Sequence, residues 1–520
     1  MITYTQQDYL NTLTKAGLVI DSNLYGHDSD AIQGLTYNSK EAAAGTLFVC
    51  KGAAFHPQYL ADAVFSGATL YVSEQKYELD TKVPYILVSD IRKAMPYLGK
   101  LFFNDPSKEL NLIGVGGTKG KSTTAYYVKA IVDDYLASIG KKESAVISSI
   151  DVYDGVTKVE SHITTPENIE LLQHFRNAVD SDIDFLEMEV SSQALKYNRV
   201  DQITFDAAIF LNISEDHISP IEHPDFEDYF SSKLKMFAQT KHALINTNSD
   251  YFERVAESAK DAENVITFGT KPGSDILGYD IKKIDHEIHF RVSCDRFDED
   301  FALTMPGLFN VENALAAIAA AYVFNIPVKF MKSGLYRARS SGRMETYMSA
   351  DKNVIAVVDY AHNKLSFDKL FSSTRKEYPD YDIISIFGCP GKKAVIRRHD
   401  LGTIAGMYSK KVYIVAEDPG AEPVEQISKD IAQYVEAQHC PYEMIEDRGE
   451  AIRKAIMTSE GKSILLITGK GNETRQKYGS EYLDCPSDVE YTKNIWQNTT
   501  LHTRHNRICS LLITDICISE

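Results

Sequence analysis

The chain has 520 residues, of which 44% are hydrophobic and 25% charged, a size and composition typical of a globular protein with roughly two to four domains. Its formal net charge of −18 argues against general binding to nucleic acid or to an anionic membrane, because a polyanion would be repelled over most of the surface. The seven cysteines form no CxxC pair, the N-terminus lacks a signal-peptide pattern, and no apolar run reaches about 20 residues, so we predict a cytoplasmic protein without membrane insertion.

The N-terminal part alternates short apolar runs with helical patterns and is predicted to be a small α/β domain over residues 1–105. Its two β-rich runs are residues 46–50 and 68–73. A turn cluster of Asn, Asp, Pro and Ser at 104–107 marks a linker, and a continuous apolar strand at 110–115 starts a second domain.

The rest of the chain has the pattern of two larger α/β domains, predicted at 106–340 and 341–497. Apolar strands that alternate with helical stretches are typical of a parallel sheet covered on both faces. The predicted strands of the second domain are 144–150, 185–190, 207–211 and 242–246, followed by an alanine-rich helix at 314–322, and those of the third are 354–358, 383–387, 411–416 and 463–468. The tail at 498–520 matches no pattern, and we assign it no function.

A phosphate-binding loop is the most specific motif. The strand at 110–115 leads into Gly116-Gly117-Thr118-Lys119-Gly120-Lys121-Ser122, and a helix is predicted from Thr123 onward. Glycines let backbone N–H groups face phosphate oxygens, and the helix N-terminus adds partial positive charge. Lys121 is predicted to act in catalysis by contacting the β and γ phosphates, and Ser122 to offer its hydroxyl to Mg²⁺. Because Val115 stands where the strict GxxxxGK[ST] pattern has a glycine, an ordinary glycine turn remains an alternative.

The loop Gly-Thr-Lys-Gly-Lys-Ser resembles the Gly-Thr-Asn-Gly-Lys-Thr/Ser loop of the Mur ligases and the folylpolyglutamate synthases. Further stretches match Mur-ligase motifs in the same order: Thr164-Thr165-Pro166, Glu189 to Leu195 with Arg199, Asn212 with Asp216-His217, Lys233, Gly307 to Asn313, Gly342 to Glu345 and Asp359 to Asn363. The resemblance implies a three-domain α/β fold with a central P-loop parallel-sheet domain and a Rossmann-like C-terminal domain. It also implies a monomeric enzyme that uses ATP and Mg²⁺ to join an amino acid to a UDP-N-acetylmuramoyl dipeptide.

The same resemblance implies which residues bind ATP. They are Gly117, Thr118, Lys119, Gly120, Lys121, Ser122 and Thr123 of the loop, Asn310 and Asn313, and Arg343, Asp359 and His362 of the third domain. Asn310 and Asn313 are three residues apart and would share one helix face, although a helix cap is the plain alternative. A ligase whose domains close over ATP needs groups from two domains.

Glu189, His217 and Lys233 match the catalytic and metal-binding positions of the family. Glu189 ends an apolar strand, at the carboxyl edge of a parallel sheet, and with His217 and Ser122 it is implied to bind Mg²⁺. Lys233 matches the lysine that the family carbamylates with CO₂, which makes an anionic Mg²⁺ ligand and requires a neutral amine with a lowered pKa. Lys235 is the nearest rival, and a solvated surface charge is the alternative for either lysine.

The residues implied to bind the UDP-linked substrate are Ser39, Thr164, Thr165, Ser191 and Arg199. Ser39 lies in a stretch that resembles the family's Asp-Ser-Arg, with Asn and Lys in place of the acid and the arginine. An ordinary serine in a turn is therefore an equal alternative.

A segment of the third domain selects the amino acid in the family. Ligases for meso-diaminopimelate carry Asp-Asn-Pro-Arg, whose arginine can grip the distal carboxylate, whereas Gly420 stands at that position here. Asp418, Glu422 and Glu473 would make the pocket acidic and favour a side chain that ends in an ammonium. We predict L-lysine, with L-ornithine or meso-diaminopimelate as alternatives and an acidic surface loop as the plain interpretation.

Pro390 and Lys392 depart from the family's Gly-Cys-Gly-Gly-Asp-Arg, and the proline stiffens the loop and removes an N–H. Two other functions therefore stay open. One is a ligase of the folylpolyglutamate-synthase type, which would not need the N-terminal uridine domain. The other is a nucleotide-binding regulator without turnover.

Overall fold

The computed structural model describes residues 3–52, 55–161, 163–216, 218–219, 222–392 and 395–497. Strands and helices alternate in these ranges, so the predicted α/β class is confirmed. The chain divides into two compact units, of which the first takes most residues up to Tyr279 and the second most residues from Tyr336 onward. The domain boundaries at 105, 340 and 497 stay predictions.

The N-terminal elements are α1 Gln6–Lys15, β1 Val19–Asn23, β2 Gly34–Thr36, β3 Thr46–Val49, α2 Pro57–Phe65, β4 Ala68–Ser73, β5 Tyr85–Val88 and α3 Ile91–Phe102. The strands form one sheet in the order β1-β5-β4-β3-β2, in which β1 and β5 are antiparallel and the other pairs parallel. Helix α1 begins after Thr5 because the Thr5 hydroxyl accepts the Asp8 N–H while the Asp8 carboxylate accepts the Thr5 N–H. This reciprocal cap satisfies two donors that the helix itself cannot.

The next elements are β6 Asn111–Gly116, α4 Lys121–Ser138, β7 Ala145–Ile147, β8 Asp151–Tyr153, β9 Lys158–Glu160, α5 Asn168–Asp180, β10 Phe185–Glu189, α6 Ser192–Lys196, β11 Phe205–Phe210, α7 Phe226–Leu234, β12 Thr240–Asn246, α8 Phe252–Ser258, β13 Asn264–Gly269, β14 Ile276–Ile284, β15 Glu287–Ser293, β16 Asp298–Leu303, α9 Asn310–Val323 and α10 Val328–Arg337. Their strands form a sheet in the order β16-β15-β14-β13-β12-β11-β6-β10-β7-β8-β9.

Strand β6 lies between β11 and β10 and is parallel to both. Its residues Leu112, Ile113 and Val115 are fully buried, as expected for a parallel strand covered on both faces. Strands β7, β10, β11 and β12 run in the same direction as β6. The segments that follow these strands therefore meet at one edge of the sheet, where open α/β folds bind their ligands.

The C-terminal elements are β17 Glu345–Met348, β18 Val354–Asp359, α11 Lys364–Glu377, β19 Asp382–Phe387, α12 Ile396–Tyr408, β20 Lys411–Ile414, α13 Val424–Glu436, β21 Tyr442–Met444, α14 Arg448–Thr458, β22 Ser463–Thr468, β23 Arg475–Tyr478 and β24 Glu481–Asp484. Strands β17 to β22 form a sheet in the order β17-β18-β22-β19-β20-β21, parallel except for the β17–β18 pair. Strands β23 and β24 form a separate hairpin. Among the helices that the structure describes, none is long and apolar enough to cross a membrane.

Glu187 is a fully buried carboxyl group on β10, and burial raises its pKa to about 8 against the opposing charge of Lys129. In the unfolded chain the same carboxyl titrates near its ordinary value of about 4.3. The folded state therefore keeps the proton longer, and this stabilisation is complete below pH about 4.5 and is lost as the pH rises to about 8.

We expect Glu187→Gln to remove this pH dependence. The free energy of unfolding of the variant should exceed that of the wild type by about 4 kcal/mol near pH 8, with a smaller difference near pH 5. Urea unfolding at the two pH values measures it, with Glu253→Gln, an exposed glutamate of α8, as the control. If the free energy of unfolding depends on pH equally in the wild type and in Glu187→Gln, the raised pKa of Glu187 in the folded protein is contradicted.

Candidate active site

The phosphate loop joins β6 to α4, as the sequence predicts. Gly117 and Gly120 have φ angles of +144° and +88°, which favour glycine. A Cβ at Gly120 would lie 2.4 Å from Oδ1 of Asn313, so a side chain there would collide with that amide. Ser122 and Thr123 are buried in the first turn of α4, whose N-terminus follows the loop directly. This geometry fits a phosphate ligand.

Two lysines of the loop turn toward neighbouring polar groups. Nζ of Lys121 donates to the carbonyl oxygens of Gly117 and Thr118 at 3.1 and 3.2 Å. Nζ of Lys119 lies 3.0 Å from a carboxylate oxygen of Asp216. The Asn212 side chain holds the Lys119 main chain from both sides, through N–H to Oδ1 at 2.9 Å and Nδ2 to the carbonyl at 3.0 Å.

Lys233 lies on α7, and only 3% of its surface is exposed. Its Nζ donates to the carbonyl oxygen of Gly117 at 2.8 Å. Burial holds the pKa of Lys233 well below its ordinary range, the charges of Lys121 and Lys119 lower it further, and Asp216 opposes them. The structure thus brings a buried, easily neutralised amine to the phosphate loop.

Glu189 ends β10 and is 1% exposed. Its Oε1 accepts the main-chain N–H and the hydroxyl of Ser149 at 2.8 and 3.0 Å, and the Ser149 hydroxyl lies 3.1 Å from that of Ser122. The carboxylate and the two hydroxyls offer hard oxygen atoms, which Mg²⁺ prefers. His217, the remaining predicted ligand, lies outside the described residues. Within the described ranges no group of three or more His, Cys, Asp or Glu side chains could hold a metal ion by itself.

Thr165, Ser191 and Arg199 meet beside this edge. The buried Thr165 hydroxyl donates to the Glu189 carbonyl at 2.9 Å and accepts the Ser191 N–H at 3.1 Å. Arg199 donates to the Thr165 carbonyl at 3.1 Å, and the Ser191 hydroxyl accepts the N–H of Ala194 as the cap of α6. The hydroxyl of Thr165 is therefore already hydrogen-bonded within the protein. Thr164 beside it is partly exposed.

Two charged residues near this cluster were missed by the sequence reasoning. Glu167 pairs with Arg199 at 2.9 Å and with Lys51 at 2.9 Å. The Lys51 ammonium also lies 4.6 Å from the ring centroid of Tyr37, two residues before the predicted Ser39. Ser39 opens a short 3-10 helix and is partly exposed. The ion pair of Lys51 and Glu167 joins residues that are far apart in sequence, so no local pattern could have indicated it.

In the second unit, Arg343, Asp359 and His362 gather around Tyr360. Asp359 accepts the Met344 N–H at 2.9 Å, and the Arg343 guanidinium lies 4.4 Å from the Tyr360 ring centroid. Nδ1 of His362 lies 2.8 Å from the Tyr360 carbonyl. Asn310 begins α9, and its Nδ2 donates to the Pro306 carbonyl at 2.6 Å.

A cavity of about 430 Å³ lies at the carboxyl ends of the third sheet's parallel strands. Its charged lining residues are Lys392, Arg397, Glu417, Asp418, Lys470, Glu473 and Lys477. Lys470 is 4% exposed and pairs with Asp418 at 3.1 Å and with Glu473 at 2.7 Å. Two of the three predicted acidic residues therefore line one cavity and share one cation.

Glu422, the third predicted acid, already has strong partners within the protein. It is not among the residues that line the cavity. Arg398, 3% exposed on α12, holds both carboxylate oxygens of Glu422 at 2.8 and 2.7 Å, and Lys392 donates its main-chain N–H at 2.9 Å. A carboxylate occupied by a bidentate guanidinium has little capacity left for a ligand ammonium.

Glu417 is the cavity residue that the sequence reasoning passed over. It is 7% exposed, and its Oε2 has no hydrogen-bond partner among the residues that the structure describes. Burial raises the pKa of Glu417 to about 7, against the opposing charges of Arg448 and Lys470. A Cβ at Gly469 would lie 2.2 Å from this oxygen, so glycine leaves room for the carboxyl group. In the sequence, Glu417 directly follows the predicted apolar strand 411–416, much as Glu189 ends its own strand. That position could have indicated Glu417 as a site residue.

Comparisons with known proteins show which family the chain belongs to. The chain matches the Mur ligase middle domain over residues 115–321 and the Mur ligase glutamate ligase domain over 342–471. It is 35% identical to the UDP-N-acetylmuramoyl-L-alanyl-D-glutamate–2,6-diaminopimelate ligase of Clostridioides difficile, covering 88% of this chain and 93% of that one. It is also 35% identical to the UDP-N-acetylmuramoyl-L-alanyl-D-glutamate–L-lysine ligase of Enterococcus faecalis, covering 86% and 88%.

A solved structure of a UDP-N-acetylmuramoyl-L-alanyl-D-glutamate–2,6-diaminopimelate ligase has the same fold, with a TM-score of 0.66 at 20% identity, covering 96% of this chain and all of that one. The fold and these matches define an ATP-dependent ligase of the acid–amino acid type. The chain belongs to the Mur ligase family.

Proposed function

We propose that this chain adds L-lysine as the third amino acid to UDP-N-acetylmuramoyl-L-alanyl-D-glutamate in the synthesis of peptidoglycan precursors. The observation that carries the proposal is Lys233, a buried amine with a lowered pKa whose Nζ lies 2.8 Å from a carbonyl of the phosphate loop. An ordinary nucleotide-binding protein does not need such a group. Two relatives named as UDP-N-acetylmuramyl-tripeptide synthetases, at 34% and 36% identity, and one named as an L-lysine ligase, at 35%, support the same reaction.

The proposed reaction has two steps. In the first, an oxygen of the terminal D-glutamyl carboxylate attacks the γ-phosphorus of ATP, the bond to the β–γ bridging oxygen breaks, and ADP leaves. In the second, the amine of the incoming amino acid attacks the resulting acyl phosphate, phosphate leaves with its bonding electrons, and the amine loses a proton. Lys121 and the loop N–H groups stabilise the charge on the transferred phosphoryl group.

The metal and nucleotide contacts follow the family's pattern. Ser122, Glu189, His217 and a carbamate on Lys233 would hold Mg²⁺, which when bound neutralises phosphate charge. The nucleotide contacts are proposed for Gly117 to Thr123, Asn310, Asn313, Arg343, Asp359 and His362. Carbamate formation joins the neutral Lys233 nitrogen to the carbon of CO₂ and releases one proton. The nearby ammonium groups of Lys119 and Lys121 would stabilise the resulting anion.

The UDP-linked substrate is proposed to bind beside Ser39, Thr164, Ser191 and Arg199. Thr165 would position Ser191, since its hydroxyl is taken up by main-chain groups. We further propose three domains with boundaries near residues 105 and 340, a monomer, and a cytoplasmic location without membrane insertion.

The choice of L-lysine rests on Glu417. Asp418 and Glu473 already share Lys470, while one oxygen of the Glu417 carboxyl has no hydrogen-bond partner in the part of the chain that the structure describes. A side-chain ammonium would supply that partner, whereas the distal carboxylate of diaminopimelate would meet a buried acid without an arginine at position 420. Sequence identity does not decide between the two, because relatives of both kinds are 35% identical. L-Ornithine carries the same charge on a shorter chain.

The proposal is tested by measuring ADP release and product formation with purified protein, ATP, UDP-N-acetylmuramoyl-L-alanyl-D-glutamate and each of three amino acids. We expect activity with L-lysine to exceed that with L-ornithine and meso-diaminopimelate. An equal rate of ATP hydrolysis with and without UDP-N-acetylmuramoyl-L-alanyl-D-glutamate would exclude the proposed ligation. Nucleotide binding without any turnover would favour the regulator, for which Pro390 beside the cavity is the main support.

Gly420→Arg should shift the amino-acid preference away from L-lysine. A Cβ at Gly420 meets only the Gly479 carbonyl, at 3.8 Å, so an arginine has room, although φ is +57° and costs about 1 kcal/mol. The guanidinium would repel a lysine ammonium, and we expect the kcat/KM ratio of L-lysine to meso-diaminopimelate to fall by roughly 10-fold or more. Gly420→Ala is the matched control, because it has the same backbone strain without the charge. An equal ratio in the two variants would place Gly420 outside the amino-acid pocket.

A further inference from the structure

Glu377 is the last residue of α11 and is 9% exposed. Its Oε2 accepts the main-chain N–H of Gly307 at 3.1 Å, and its Oε1 accepts that of Leu308 at 3.0 Å. A buried carboxylate that takes two successive backbone N–H groups fixes the conformation of that backbone, because charge-assisted hydrogen bonds are stronger than neutral ones. The roles proposed above make no use of this side chain.

The two N–H groups that Glu377 accepts, those of Gly307 and Leu308, belong to the loop that leads into α9. Gly307 has a φ of +95°, and its carbonyl accepts the Asn310 N–H at 2.7 Å. The Asn310 side chain donates back to the Pro306 carbonyl at 2.6 Å. The orientation of Asn310 is therefore tied to the conformation of residues 306–308.

The end of α11 is itself held in place. The Ser373 hydroxyl donates to Oε1 of Glu377 at 2.6 Å, and Nζ of Lys283 donates to the Glu377 carbonyl at 2.7 Å. The same ammonium lies 3.1 Å from the ring centroid of Tyr378, on which His286 is stacked. Glu377 is thus a rigid acceptor rather than a mobile surface acid.

We propose that Glu377 is a positioning residue for nucleotide binding: it fixes the loop at 307–308 and so orients Asn310 at the start of α9. The inference rests on the proposed function, in which Asn310 and Asn313 contact ATP. A carboxylate on another helix then sets the affinity for the nucleotide without touching it.

The test is Glu377→Gln, which keeps the size of the side chain but turns one acceptor into an NH₂ group facing a backbone N–H. We expect KM for ATP and the ATP dissociation constant to rise by roughly 10-fold. KM for the amino acid should stay within about 2-fold of the wild type, because neither Gly307 nor Leu308 is among the described residues that line the cavity at Glu417. Calorimetric titration with ATP and steady-state kinetics measure the two effects.

Ser373→Ala is the matched control, since it removes one hydrogen bond to Glu377 and leaves both backbone contacts in place. It should change ATP affinity much less than Glu377→Gln. If Glu377→Gln lowers the melting temperature but leaves ATP affinity unchanged, the role is structural and the proposal is overturned. If Glu377→Gln does not fold, Glu377→Asp decides by the same titration, because its shorter side chain cannot keep both contacts.

Asn310→Ala separates this inference from the proposed function. Loss of ATP affinity in Asn310→Ala but not in Glu377→Gln overturns the inference and leaves the ligase proposal intact. Normal ATP affinity in Asn310→Ala removes the group that Glu377 is proposed to orient and overturns the inference as well. A wild-type protein that binds no ATP contradicts the proposed function itself.

Discussion

Lys121→Ala is expected to lower kcat for ligation by roughly 10²-fold or more, because one preorganised positive charge at a transferring phosphoryl group contributes that much. The Lys121 ammonium lies over the loop, bonded to the carbonyls of Gly117 and Thr118 at 3.1 and 3.2 Å. When ATP occupies the loop, the same group can move from these carbonyls to the β and γ phosphates. Its charge then opposes the negative charge that builds up during transfer.

The control for Lys121 is Lys260→Ala, which removes an exposed lysine that pairs with Glu257, three residues earlier in the chain. Turnover and melting temperature are measured together, since the lost hydrogen bonds of Lys121 could also loosen the loop. Lys121→Gln retains a donor to the two carbonyls without the charge and should be nearly as inactive as Lys121→Ala. Turnover near the wild-type rate in a folded Lys121 variant would rule out the phosphate-loop role.

Burial on both faces makes central parallel strands continuous apolar runs. The strands predicted on this basis are β6, β7, β10, β11 and β12 of the largest sheet and β18, β19, β20 and β22 of the C-terminal sheet. The run at 110–115 corresponds to β6 and the run at 463–468 to β22. The predicted helix at 314–322 begins earlier, at Asn310, because the polar first turn of α9 carries no apolar periodicity. Short strands such as β8 and β9 were missed, since three residues give too little pattern to recognise.

The order of motifs predicted the phosphate loop and the neighbourhood of Glu189 and Lys233. Glu189 ends a buried strand and Lys233 lies on a helix, so the local sequence determines the position of each residue. The pairing of Glu422 with Arg398 could not be predicted, because it joins a loop to the helix α12 that packs beside it. The surroundings of the Glu417 carboxyl likewise depend on Gly469 and Arg448, which lie after another strand and on another helix. Long-range packing thus decides which acids are available to a ligand.

Lys233→Ala is expected to be nearly inactive, with a loss of roughly 10²-fold or more in kcat, since it removes both the proposed carbamate and its share of Mg²⁺ binding. Burial and the charges of Lys121 and Lys119 hold the pKa of Lys233 well below its ordinary range, which favours the neutral form of the amine. Only the neutral amine can react with CO₂. An anionic carbamate on Lys233 would be attracted to the ammonium groups of Lys119 and Lys121.

Lys235→Ala is the matched control, two residues further along and at the start of the 3-10 helix Lys235–Gln239. It should keep most of the activity, because its ammonium is not held by the phosphate loop. In Lys233→Ala the truncated side chain leaves space, and added formate or acetate should restore part of the activity by supplying the missing carboxylate.

Direct observation of the carbamate separates a chemical role from a structural one. Wild-type protein equilibrated with ¹³C-labelled CO₂ should give a carbamate signal in ¹³C NMR that is absent from Lys233→Ala and present in Lys235→Ala. Removing CO₂ from the assay should lower the activity of the wild type and leave formate-rescued Lys233→Ala unaffected, because the variant no longer needs the modification. If Lys235→Ala loses activity and signal while Lys233→Ala keeps both, the carbamate belongs to Lys235. If neither variant changes them, α7 does not supply the metal ligand, and the buried amine at the phosphate loop serves only to hold the Gly117 carbonyl.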